Sequence, residues 1–254
     1  MNNKSTIRFT VTGATHSTRY TCSKKKCPAF TLAEVLVTLG IIGVVAAMTL
    51  PTIIDNSRNK QLESALKKSY SIINQALDLY QAQNGERIKS DGSFAYLQLK
   101  PVFIKYFQVA RDCGYGFDSI HSCIRRGTSG SKNDQTTDLY KTLNGYNMNT
   151  SMFDEGAFVL LDGSIIFIQN GTVDIPLIIS VDVNGYNKRP NKLGHDLFMF
   201  MIDEKGTLLP LGVKGSIYNN PETFCSPTSK NYLNGAACTY KALTEKDYFK
   251  NLPK

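Results

Sequence analysis

From Phe30 to Ile54 the sequence reads FTLAEVLVTLGIIGVVAAMTLPTII, 25 residues without a basic group and with Glu34 as the only charge. As a helix this run reaches about 37 Å, enough to cross a hydrocarbon core of about 30 Å. The charge around it is uneven. The chain of 254 residues carries a formal +8, from 29 basic residues against 21 acids. Six of those bases, Lys4, Arg8, Arg19, Lys24, Lys25 and Lys26, lie ahead of the run, where there is no acid. The remainder of the chain holds 23 bases against 21 acids, about +2. Positive charge ahead of a first span keeps that end in the cytoplasm, so residues 55–254 are expected outside. Beside an apolar 25-mer this orienting role outweighs nucleic-acid binding, and no specific nucleic-acid partner is expected. With 42% hydrophobic and 20% charged residues the chain is neither a disordered tail nor a polytopic membrane protein.

Glu34 is the anomaly in the run. An acid in a spanning helix costs something on the order of 2–3 kcal/mol at the bilayer centre and less near the surface, so it normally has a partner. A solvated acid at the headgroup level is the plain alternative. The stretch Lys24-Lys25-Lys26-Cys27-Pro28-Ala29-Phe30-Thr31-Leu32-Ala33-Glu34, with the apolar run after it, resembles the N-terminus of a type IV prepilin or type II secretion pseudopilin. The resemblance implies a leader, residues 1–29, removed by a prepilin peptidase between Ala29 and Phe30, with N-methylation of Phe30. It implies that Glu34 pairs with the N-terminal amine of a neighbouring subunit. An amine and a carboxylate desolvated together cost less than either alone. Pro51 falls where many members of that family carry a helix-kinking proline, and Gly43 with Ala47 forms a small-xxx-small pair suited to close helix packing. The sequence departs from the family at Ala29, where Gly is strongly preferred. Ala is the next smallest residue, so slower cleavage is expected.

An ordinary secretory signal is the competing reading. Val35–Met48 would be its apolar core and Val45-Ala46-Ala47 its cut site, releasing a soluble binding protein or hydrolase that begins at Met48. Its leading region would then be 34 residues long and end in an acid.

Beyond the run, Leu62, Ala65, Leu66, Ser69, Ile73, Ala76, Leu77 and Tyr80 recur at spacings of three and four, so the helix is expected to continue to Asn84-Gly85. Residues 93–111 read as one or two short helices with Pro101 at a helix start, and Thr128–Thr137 as a polar loop. Ala157–Leu161 and Ser164–Gln169 flank Asp162-Gly163, a hairpin dipeptide. Asp174–Val183, Leu197–Asp203 and Thr207–Leu211 complete an expected antiparallel meander of about five strands. The expected class is α+β: a long N-terminal helix, its first half (30–54) in the membrane and its second packed on the sheet of an extracytoplasmic head (55–254). Helix first and sheet second is also the order of pilin heads.

Cys22 and Cys27 leave with the leader. Cys113, Cys123, Cys225 and Cys238 remain, and four cysteines allow three pairings. Pairing nearest neighbours, Cys113–Cys123 and Cys225–Cys238, closes two short loops among Gly, Ser and Asn. A C-terminal disulfide loop is common in the pilins that this chain resembles. A zinc site is the rival, but no close CxxC pair is present.

The segment from Asp182 to Asp196 is polar and glycine-rich between two apolar strands. Asp182, Asn184 and Asp196 are hard oxygen ligands of the kind calcium takes, and several secretion pseudopilins hold calcium in a comparable loop. The alternative is a pair of turns whose acids cap backbone donors, with Lys188, Arg189 and Lys192 repelling a cation. A catalytic cluster is absent: His121 and His195 sit in no GxSxG or HExxH motif. Arg125-Arg126 and Lys188-Arg189 are the candidates for a ligand-binding patch. The expected role is that of a filament subunit rather than an enzyme. Its partners would be copies of itself and other pilin-like subunits, the peptidase and methyltransferase, an inner-membrane assembly platform and membrane lipid. Calcium is the one cofactor that these residues suggest.

Overall fold

The structure, a computed structural model, describes residues 30–115, 123, 136–149, 151–170 and 176–252. The expected leader with Ala29, His121, Arg125 and Arg126, most of the loop 128–137, and the start of the strand expected from Asp174 lie outside the described residues.

The chain divides into two compact units between Ile53 and Ile54. Helix α1, Leu32–Asn84, begins in the first and continues through the second, and its helical conformation runs through Pro51. In the first unit the large apolar side chains from Phe30 to Ile53 are exposed. Among the described residues no packing covers them, and by length and composition α1 can cross a membrane.

In the second unit α1 buries Leu62, Leu66, Ser69, Ile73, Ala76 and Leu77, the stripe set by its spacing. Each fully buried Leu or Ile contributes about 1.5–3 kcal/mol. Gly85, at φ +83°, ends the helix with its N–H on the Gln81 carbonyl at 2.8 Å. Next come α2 (Leu99–Phe103) and a short 3-10 turn, Ile104–Tyr106. The strands are β1 (Val109–Asp112), β2 (Thr136–Lys141), β3 (Asn147–Asn149), β4 (Ala157–Leu160), β5 (Ile165–Gln169), β6 (Leu177–Asp182), β7 (Leu197–Ile202) and β8 (Leu208–Pro210). Two short helices come after the sheet, α3 (Pro221–Phe224) and α4 (Cys238–Thr244). Among the described residues, six strands make one antiparallel sheet in the order β1-β4-β5-β6-β7-β8, while β2 and β3 form a separate hairpin.

The α+β layout is the one expected, with corrections in detail: residues 93–98 are not helical, Thr136 and Thr137 belong to β2 rather than to a loop, and the sheet has six strands rather than about five. Val109–Arg111 are strand, not helix. Their backbone pairs with β4, with a register shift between Val109 and Arg111, and pairing of this kind overrides local propensity. Lys100 helps to hold that edge. It is buried, and its ammonium donates to Asp112 Oδ1 and to the Gly114 carbonyl while lying 4.3 Å from the Tyr115 ring centroid. Gly156, at φ +140°, is required here, because a Cβ would lie 2.4 Å from Lys100 Cδ.

Both faces of the sheet are covered. One face (Ile166, Ile168, Ile179, Val181, Phe198 and Phe200) packs on α1. The other (Ile165, Phe167, Ile178, Leu197, Met199 and Met201) packs on Tyr140, Phe153, Leu211, Leu233 and Ala236. This explains why β6 and β7 read as unbroken apolar runs rather than as alternating ones.

The ends of the sheet are fixed against α1. At one end the β4–β5 turn receives Lys68, whose ammonium lies 2.7 Å from Asp162; the β6–β7 connection is at that same end. At the opposite end Ser90 N–H donates to Asp203 O at 3.1 Å, and a Cβ on Gly206 would meet Arg87 Cβ at 2.7 Å. The β6–β7 connection is therefore at the sheet end that meets Lys68 of α1, opposite the end that meets Arg87.

Candidate functional site

The candidate assembly site lies at the start of α1. Phe30 is 86% exposed and precedes the helix. Thr31 and Glu34 cap it reciprocally. Glu34 Oε2 accepts from Thr31 N–H at 2.7 Å and Thr31 hydroxyl at 2.9 Å, while Glu34 N–H donates to Thr31 Oγ1 at 3.2 Å. This is a capping box, which satisfies two otherwise orphaned helix donors. The sequence pattern Thr-x-x-Glu announces it, although it is hidden when Glu34 is considered only as a charge in lipid. Both contacts from Thr31 fall on Oε2. Glu34 is thus held in place by its own chain while its carboxylate stays exposed on an apolar helix. A Cβ added to Gly40 or Gly43 would meet nothing within 4 Å. Each glycine costs a helix about 1 kcal/mol relative to alanine, and nothing within the described residues requires it. Ala29, the other half of the expected cut, lies outside the described residues.

The cysteine pairs are Cys113–Cys123 and Cys225–Cys238, with Cα–Cα separations of 5.6 and 5.0 Å.

Asp182, Asn184 and Asp196 come together in the β6–β7 connection, and both acids are fully buried. Asp182 accepts from Tyr140 hydroxyl at 2.7 Å, Gly185 N–H at 2.9 Å and Asn184 N–H at 3.3 Å. Asp196 accepts from Lys192 N–H at 2.7 Å, Asn191 N–H at 2.8 Å and Asn184 Nδ2 at 3.5 Å. The two acids thereby fold the loop over themselves. Asn184 Oδ1 and Asn191 Oδ1 are buried with no hydrogen-bond partner among the described residues. Among those residues, too, no group of three or more His, Cys, Asp or Glu is placed to hold a metal ion. Burial and the neighbouring Asp196 push the Asp182 carboxyl up to about 7, and burial pushes Asp196 up to about 6, against the pull of their donors. Burial, and after it the charges of Lys192 and Arg58, holds the His195 imidazole down at about 4.

These shifts set the pH dependence of stability. Acids whose folded pKa is raised bind protons more tightly when folded, so their penalty grows as pH rises from about 4 through 7. His195 acts in the opposite sense and costs stability as pH falls below about 6.5. Between pH 8 and pH 6 the acids dominate. The melting temperature should be higher at pH 6 than at pH 8 by several degrees, on about 1 kcal/mol per fully titrating acid. Glu155, which burial pushes up to about 7, adds in the same sense, so Asp182→Asn should remove part of the difference. Thermal melts at the two pH values check this, and a flat profile contradicts it.

Residues 24–50 match the family model of the prokaryotic N-terminal methylation motif. The chain thus carries the prepilin-type cleavage and methylation segment found in type IV pilins and pseudopilins, at its N-terminus and on the residues that hold Phe30 and Glu34. No curated protein and no solved structure matches the chain.

Proposed function

We propose that this chain, which carries a prepilin-type segment, is a structural subunit of a type IV pilus or a type II secretion pseudopilus. The methylation motif at 24–50 carries the reading. The precursor enters the inner membrane with its N-terminus in the cytoplasm and its head outside. It is cleaved after Ala29 and methylated on Phe30. It then joins a filament through the exposed apolar helix, which other copies cover. In that setting Glu34 meets the N-terminal amine of a neighbour, and Gly40 and Gly43 admit a close helix. The partners are other pilin-like subunits, the peptidase that also methylates, the assembly platform and lipid. The role is structural, and the chain itself performs no catalysis.

Processing tests this reading. When the full-length chain is co-expressed with a prepilin peptidase, Ala29→Gly should speed conversion to the shorter form and Ala29→Leu should block it, as read by gel shift. Conversion indifferent to both changes would contradict the assignment of the cut.

Calcium at Asp182, Asn184 and Asp196 is a second reading. It is favoured by the partnerless Asn184 Oδ1 beside two buried acids. A bound cation would relieve their mutual repulsion, so millimolar calcium should raise the melting temperature at pH 8. An unchanged melt, with no heat of binding in calorimetry, would remove calcium.

A further inference from the structure

The β6–β7 connection presents a basic surface, apart from the apolar helix on which the proposed assembly rests. Lys188 and Arg189 are exposed, Lys192 is half-exposed, and Arg58 is exposed on α1. Among the described residues none of the four takes part in an ion pair, whereas several acids of the head are paired elsewhere. Glu63 pairs with Lys67, Asp162 with Lys68 and Asp247 with Lys250. Asp182 and Asp196 are buried under the loop, where its backbone N–H groups donate to them. Asp55 is the one acid on α1 between the apolar run and Arg58.

The loop is also fixed in shape. Lys188 N–H donates to Gly185 O at 2.9 Å, Asn184 Nδ2 to Lys188 O at 3.1 Å, and Asn191 Nδ2 to Tyr186 O at 2.9 Å. The three cations therefore stand on a preformed turn. Its place on the head is set by the sheet. The connection lies at the sheet end that meets Lys68 of α1, and His195 is within electrostatic reach of Arg58. Arg58 comes about one helical turn after the last apolar residue, Ile54. A cation that follows an apolar span this closely in sequence, and cations grouped with it on the head, are of the kind that anionic lipid headgroups attract.

We propose that Lys188, Arg189 and Lys192, with Arg58, dock the head on anionic phospholipid headgroups of the membrane that anchors the apolar helix. This rests on the membrane anchoring in the proposed function. Docking holds the unassembled subunit against the bilayer in one orientation, and the contact is released when the subunit leaves the membrane. At about five-fold per charge, neutralising the three loop residues should lower the docked-to-free ratio roughly 100-fold at low salt.

The sequence has no Trp, so Asn187→Trp, on the exposed loop, supplies a single fluorescent reporter. The full-length chain is reconstituted into bilayers of phosphatidylcholine alone or mixed with phosphatidylglycerol, each with a headgroup-spin-labelled lipid. The expected result is stronger quenching in the anionic bilayer, lost at high salt and lost on combining Lys188→Gln, Arg189→Gln and Lys192→Gln. A reporter at the opposite end of the sheet, Glu204→Trp, should be quenched weakly in both. Equal quenching of Asn187→Trp in the two bilayers, in protein that floats with the vesicles, overturns head docking alone. Protein that floats with neither bilayer overturns the anchoring, and the docking with it. The two-bilayer comparison needs no loop variant, so a destabilised triple substitution does not spare the proposal.

Discussion

Glu34→Ala is expected to leave membrane insertion intact and to reduce incorporation into filaments by two to three orders of magnitude. Insertion loses nothing, because removing an acid from a span lowers its transfer cost. Assembly loses a great deal. If Glu34 pairs with a neighbour's amine as proposed, removing it leaves that amine desolvated alone, at a cost of about 3–5 kcal/mol. Glu34 also closes the capping box with Thr31, so alanine removes two contributions together. Glu34→Gln separates them, since Gln serves a capping box but carries no charge. If charge pairing governs assembly, Gln should fail almost as completely as Ala. Normal incorporation of the Gln variant, measured as sheared filament against membrane-bound subunit, would assign the effect to the cap instead.

The second large effect is expected at the C-terminal end of the head. Replacing both Cys225 and Cys238 by Ser should destabilise the head by about 3 kcal/mol, from the entropy of the short loop they close. For a unit of this size that corresponds to a fall of roughly 6–12 °C in melting temperature. The position of the bridge adds to the loss. Cys238 is fully buried at the start of α4, and Leu233 and Ala236 beside it cover the second face of the sheet. The segment is also in close backbone contact with its surroundings. Gly235 N–H and Ala237 N–H both donate to Phe224 O, at 2.7 and 3.1 Å, and a Cβ on Gly212 would lie 2.0 Å from Ala237 O. Loosening it exposes Met199 and Leu211. A fall below about 2 °C in calorimetry would mean that these contacts, and not the bridge, hold the segment.

Features governed by local chemistry are the ones legible in the sequence. The helix stripe from Leu62 to Tyr80 is set by spacing, and Gly85 marks its end. Asp162-Gly163 marks the β4–β5 turn because those residue types suit it wherever the strands lie. Strand β1 is different. Val109–Asp112 has no pattern of its own and becomes a strand only because β4 offers an edge far along the chain. The second core is legible only in part. The runs LIISVD and LFMFMI lack alternation, which signals burial on both faces, but the residues that cover the second face come from distant segments around Tyr140, Phe153 and Leu233. Lys100 could not be picked out, since nothing local separates a buried lysine from an exposed one. At the candidate site Glu34 stands out as a lone charge, whereas its hold on Thr31 emerges only when the two residues are read together.

The chain is expected to mature at Phe30. Intact mass and N-terminal sequencing of the protein recovered from membranes of a host expressing a prepilin peptidase test it most directly. The expected product is a chain that begins at N-methylated Phe30, with Glu34 as its fifth residue. A soluble chain beginning at Met48 would contradict it and would return the apolar run to an ordinary secretory signal.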